Sequence, residues 1–150
     1  GHAEANHYGR LLAMLGLSFA CMYALMYAMV DRFANVVPNI NQFYMAALMT
    51  APMAILELAL MGAMYQDKRK NAVIFVLAGL VLVGSWFGIR AQAGVGDRQF
   101  LKSMIPHHAG AILMCEKNHL QNPELKQLCH NIVASQRAEV EQMKALLEER

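Results

Sequence analysis

The chain has 150 residues with a formal charge of +2, which bounds it to one or two small domains and gives no support for a nucleic-acid or acidic partner. Its hydrophobic content of 57% is gathered in long runs, which points to a membrane. Twelve methionines, six histidines and three cysteines add a supply of soft and borderline metal ligands.

Three stretches, Arg10 to Val30, Phe43 to Tyr65 and Ala72 to Ile89, each approach the roughly 20 apolar residues that cross a bilayer as a helix. The first is too long for the apolar core of a cleaved leader, and no small-residue cleavage site precedes a polar chain. Lys68, Arg69 and Lys70 crowd the connection between the second and third spans, with Arg10 at the start of the first. Arg32, Arg90 and Arg98 on the other side are scattered and partly matched by Asp31 and Asp97. Basic residues in short loops stay cytoplasmic, so the N-terminus is expected inside and the chain after Ile89 outside. The expected domains are a membrane domain over 1–92 and an exported hairpin over 93–150.

Within the spans, Met22, Met26 and Met29 face one way in the outer half of the first, and Met45, Met49 and Met53 do so in the outer half of the second. Antiparallel packing would set 29 near 45, 26 near 49 and 22 near 53, a ladder able to pass Cu(I) inward. Methionine also fills apolar interiors and faces lipid, the weightier reading. Glu57 falls near the centre of the second span, where an ionisable group suggests function; a protonated carboxyl bonded to Ser18, Tyr23 or Ser85 is the structural alternative. Gly84-x-x-x-Gly88 is a helix-packing pattern.

From Asp97 onward the apolar residues return with helical period. Phe100, Leu101, Met104, His108, Ala111, Ile112, Cys115 and His119 share one face, and Pro106 either splits this helix or kinks it. Asn122-Pro123 is a cap followed by proline at the first helical position, starting a helix that runs to about Glu149. Its stripe is Leu125, Leu128, Cys129, Ile132, Val133, Val140, Met143, Leu146 and Leu147, interrupted by Gln136 and Glu139. Polar groups in an apolar stripe need partners. Folding about residue 121 brings these two toward the level of Met104-Ile105-Pro106-His107-His108.

Met104, His107, His108 and Met143 are therefore candidate metal ligands, with Gln136 and Glu139 behind them orienting the imidazoles. A kinked helix whose histidines hydrogen-bond Gln136 and Glu139 is the structural alternative. Cys115 and Cys129 face the hairpin interior and either form a disulfide, offer thiolates to Cu(I), or stay unlinked. Glu116-x-x-His119 has the spacing of a di-iron carboxylate motif, a minor reading because Glu116 lies near the turn. Two helices do not enclose a core, so two hairpins pairing into a four-helix bundle, a homodimer or higher oligomer, are expected.

The tail resembles the family of domain of unknown function 305, on Asp97, Phe100-Leu101, Met104-Ile105-Pro106-His107-His108, Ala111 to Met114, Pro123-Glu124, Gln136, Glu139 and Met143. The opening Asn6-His7-Tyr8-Gly9-Arg10 is similar to the three-span version of that family. The resemblance implies a ferritin-like helical bundle, copper as the bound metal, and a place outside the cytoplasm, in a bacterium the periplasmic side of the inner membrane. Longer members carry two copies of the helical pair where this chain has one. The expected function is membrane-anchored Cu(I) binding for tolerance or delivery, or for another soft ion. The rivals are copper transport along the methionine-lined spans and an accessory or assembly subunit of a larger membrane complex. No nucleophile with its base, phosphate loop or cofactor fingerprint suggests an enzyme.

Overall fold

A computed structural model describes the backbone over residues 2–149 and side chains from residue 6. The fold is all-helical, with no strand among the described residues: α1 His2–Leu25, α2 Ile40–Leu60, α3 Lys68–Ala91, α4 Asp97–Lys117 and α5 Pro123–Glu149. These form two compact units. The first holds α1 with Asn41–Ala93; the second holds Met26–Ile40 with the chain from Gly94 onward. The stretch Met26–Ile40, assigned to the membrane domain on sequence, thus groups with the hairpin.

All three helices of the first unit are long and apolar enough to cross a membrane. Their ends differ from the sequence reading. The first α-helix stops at Leu25 and gives way to a 3-10 turn, Met26–Met29; the second stops at Leu60, before the 3-10 turn Gly62–Met64. The basic triplet is the first turn of α3, capped by Asp67, whose Oδ1 accepts from the Arg69 and Lys70 amides at 3.0 and 3.2 Å. At its other end Gln92 adopts the left-handed region at φ 52°. Its Nε2 donates to the Ile89 carbonyl and to Asn41 Oδ1, both at 2.8 Å.

The opening residues of the chain form a clasp. The Tyr8 hydroxyl lies 2.5 Å from Asn71 Oδ1 and 3.1 Å from the Asp67 amide and carbonyl. His7 Nδ1 donates to the Met64 carbonyl at 2.9 Å. Tyr8, Leu11, Leu58 and Tyr65 make a small buried cluster there. Elsewhere this unit buries alanines, Ala46, Ala47, Ala51, Ala54 and Ala78, and leaves larger side chains outward. Gly88 meets the Tyr44 ring so closely that an added Cβ would lie 2.9 Å from it, whereas Gly84 opens onto an apolar groove.

The second unit is built on α4 and α5, which run side by side as a helical hairpin. Leu101, Ile105, Ile112, Val140 and Met143 form its core, with Val37, Met104, Val133 and Leu147 packed around them. The α4 helix is unbroken across Pro106, so the proline neither ends it nor starts a separate helix. At the far end the predicted cap is in place, Asn122 Oδ1 accepting from the Glu124 amide at 2.8 Å. A disulfide joins Cys115 to Cys129, with Cα atoms 5.2 Å apart and a sequence separation of 14. Closing a loop of this length removes about 3 kcal/mol of chain entropy from the unfolded state, which matters in a unit with so small a core.

The stripe on α4 is narrower than its periodicity suggested. Ile105, Ala109 and Gly110 are buried, while Phe100 and His119 stay exposed. On α5, Val140 and Met143 are buried, but Leu125, Leu128 and Leu146 are exposed.

Candidate metal-binding site

His108 is one point at which the two hairpin helices meet through polar chemistry. Its Nδ1 lies 3.0 Å from the Met104 carbonyl, one helical turn back. Its Nε2 lies 2.7 Å from Glu139 Oε2 on α5. A carbonyl can only accept, so the Met104 contact places a proton on Nδ1 and leaves Nε2 as the nitrogen that faces the Glu139 carboxylate. The His108 side chain is 13% exposed and that of Glu139 50%, so the pair sits at the rim of the core with one face to solvent.

The other candidate ligands surround this pair unevenly. Met104 is half-buried against the core and Met143, in the core, is 9% exposed. His107 is exposed; its ring centroid is 6.3 Å from that of His108 and the planes differ by 60°. This follows from the roughly 100° between adjacent residues on a helix. Gln136 is half-buried one turn before Glu139. The hairpin thus brings together His108, Glu139 and the Met104 backbone, with Met143 in the core against which Met104 packs, and turns His107 outward. Among the described residues no three His, Cys, Asp or Glu side chains are grouped to hold an ion.

The residues of the suggested membrane path divide between the two units. Met22 is on α1, where its sulfur lies 3.7 Å from the Thr50 hydroxyl. Met26 and Met29 lie in the 3-10 turn of the hairpin unit. At about three residues per turn Met26 and Met29 still share a direction, but they group with the hairpin unit while Met22 groups with the three-helix unit. Met45 and Met49 on α2 are exposed and Met53 is half-buried. Glu57 lies in the last turn of α2 rather than mid-span, and accepts a hydrogen bond of 3.1 Å from the Tyr65 hydroxyl beyond that helix. Burial first, then the hydrogen bond and charge of Glu57, raise the Tyr65 phenol above its ordinary pKa.

The di-iron spacing is not used as such. Helix α4 ends at Lys117, leaving His119 on the connection, and Glu116 is paired with Arg137 of α5. Arg137, invisible to ligand-spacing rules, removes Glu116 from the available carboxylates. The turn end instead holds an open cavity of about 570 Å³ lined by Cys115, His119, Lys126, Cys129 and His130 among others.

Residues 89–147 match the family model described as Domain of unknown function (DUF305). Over 143 residues, 93% of this chain, an uncharacterized protein of Acanthamoeba polyphaga mimivirus is 32% identical, and the match covers 92% of that protein. The chain belongs to the DUF305 family. The DUF305 match contains all of α4 and most of α5, with His108, Glu139, Met143 and both bonded cysteines. The viral relative extends the likeness across the three-helix unit. No solved structure matches the chain.

Proposed function

We propose that the protein is a membrane-anchored Cu(I)-binding protein that displays its hairpin on the non-cytoplasmic side, the periplasm in a bacterium, for copper tolerance or delivery. The observation that carries the reading is the fixed imidazole of His108. Its Nδ1–H is held by the Met104 carbonyl, which presets the tautomer whose Nε2 can serve as a ligand. Glu139 is the exchangeable partner at that nitrogen. Copper at Nε2 would take the place of the Glu139 contact, any proton on that nitrogen leaving to solvent, and Glu139 would remain beside the site as a compensating negative charge.

Met104, Met143 and His107 supply the remaining soft and borderline donors. Within one hairpin they do not converge, so the reading includes pairing of two hairpins into a four-helix, ferritin-like bundle, which places a second copy's donors at the rim. Exposed Leu125, Leu128, Phe100 and Met114 support such pairing, since apolar side chains of this size gain from leaving water. The orientation is supported by the basic first turn of α3 and by a disulfide that persists in oxidising compartments.

The test is anaerobic Cu(I) titration of the full chain in detergent micelles against a chromogenic chelator, without thiols so that the disulfide stays closed. Replacing both His107 and His108 by alanine is expected to weaken binding by a factor on the order of ten to a hundred or more, because even outer-shell losses at metal sites reach that size. Equal affinity in the two proteins would remove the proposal.

A further inference from the structure

We propose that the Cys115–Cys129 disulfide gates a second copper site at the turn end of the hairpin, closed when oxidised and open to Cu(I) when reduced. The inference is independent of His107 and His108. It rests on Cys115 at the end of α4, His119 on the connection, and Cys129 with His130 on α5, which line one open cavity and, with the disulfide closed, are not grouped to hold an ion. With the sulfurs bonded to each other, neither offers a thiolate, and two exposed imidazoles remain. Opening the bond leaves two thiols whose Cα atoms are 5.2 Å apart, a separation from which both sulfurs reach one ion through bonds of roughly 2.3 Å.

Thiolate and imidazole together select soft ions, Cu(I) among them. A monovalent copper held by two thiolates leaves a net negative charge, and Lys126 on the same cavity wall offsets it. Glu116 also lines the cavity but is engaged by Arg137, so the ligand set stays soft. The hairpin core of Leu101, Ile105, Ile112, Val140 and Met143 contains neither cysteine, which lets the turn end change state while the rest stays packed.

The gate works by exchange with a dithiol reductant. One reductant thiolate attacks a cysteine sulfur, the protein S–S bond breaks, and a mixed disulfide forms; the second reductant thiol then displaces the other cysteine. The net change is one disulfide lost by the protein and one gained by the reductant, with two hydrogens passed to Cys115 and Cys129. Binding of Cu(I) then releases those two protons to solvent.

The experiment uses the full chain in micelles, passed over an immobilised dithiol that is removed before anaerobic Cu(I) titration against a chelator, beside the untreated protein. The reduced protein is expected to take up one more Cu(I) per chain than the oxidised one, with sulfur neighbours in its X-ray absorption spectrum. Cys115→Ser with Cys129→Ser should abolish that difference. His119→Gln with His130→Gln, which leaves both cysteines in place, should weaken the added ion by a factor on the order of ten or more. Equal uptake in the two redox states overturns the proposal, as does an added ion indifferent to both histidines, or a disulfide that the dithiol fails to open in the folded protein. Because the readout is a difference between redox states, it is separable from any copper held near His108.

Discussion

The hairpin and the three-helix unit bury opposite kinds of side chain. In the hairpin the withdrawn residues are Leu101, Ile105, Ile112, Val140 and Met143. In the three-helix unit they are largely alanines, while Leu17, Leu80, Val76 and Phe87 point outward. One rule acting in two solvents would produce both patterns. In water, large apolar groups gain by packing together; among lipid tails they gain little, and small residues let helix backbones approach. The outward leucines of α1 and α3 therefore carry an argument for the bilayer that length and hydropathy alone do not.

That contrast can be broken most directly in the core. Ile105→Ala, at a fully buried position, is expected to cost the hairpin about 2–5 kcal/mol, read as loss of helical circular dichroism during guanidinium unfolding in micelles. Leu80→Ala in the three-helix unit should cost about 0.5 kcal/mol or less; equal costs would mean that both regions answer to water. Next in size, Gly88→Ala drives a Cβ into the Tyr44 ring and should destabilise the three-helix unit by about 1–3 kcal/mol. Tyr44→Ala should relieve it in a double-mutant cycle, while Gly79→Ala, with nothing near its Cβ, should be tolerated.

Smaller effects probe the hairpin's polar ends. Asn122→Ala removes the cap of α5 and should cost about 1 kcal/mol, visible as a lower midpoint in the same unfolding curve. Glu139→Gln should cost only about 0.5 kcal/mol, because half of that carboxylate faces solvent. Its copper affinity is the more telling readout: a large stability loss with unchanged copper binding would recast His108–Glu139 as a purely structural bond.

Much of the hairpin was legible because polar and apolar residues alternate with helical period and Asn122-Pro123 marks a start. The breadth of its stripe was not. Periodicity suited to a four-helix bundle included Phe100, Leu125 and Leu128, which one hairpin leaves outside, and passed over Ile105, which the packing centres. Sequence spacing places Met22, Met26 and Met29 in one span, but it does not contain the end of the α-helix at Leu25 or the grouping of Met26 and Met29 with the hairpin unit. The Tyr65 partner of Glu57 lies beyond α2, where no helical spacing rule reaches. Whether Cys115 and Cys129 join depends on a Cα separation, which residue order does not contain.

The disulfide also sets the direction in which the hairpin loosens. With α4 and α5 pinned beside their connection, local opening starts at the unpinned end and works inward. Amide exchange should then be fastest near Leu146 and Leu147, slower around Glu139 and slowest beside Cys129. Such graded fraying would release Met143 and the carboxylate facing His108 before it disturbs the clipped end, so the proposed His108 site lies in the part of the hairpin freest to rearrange.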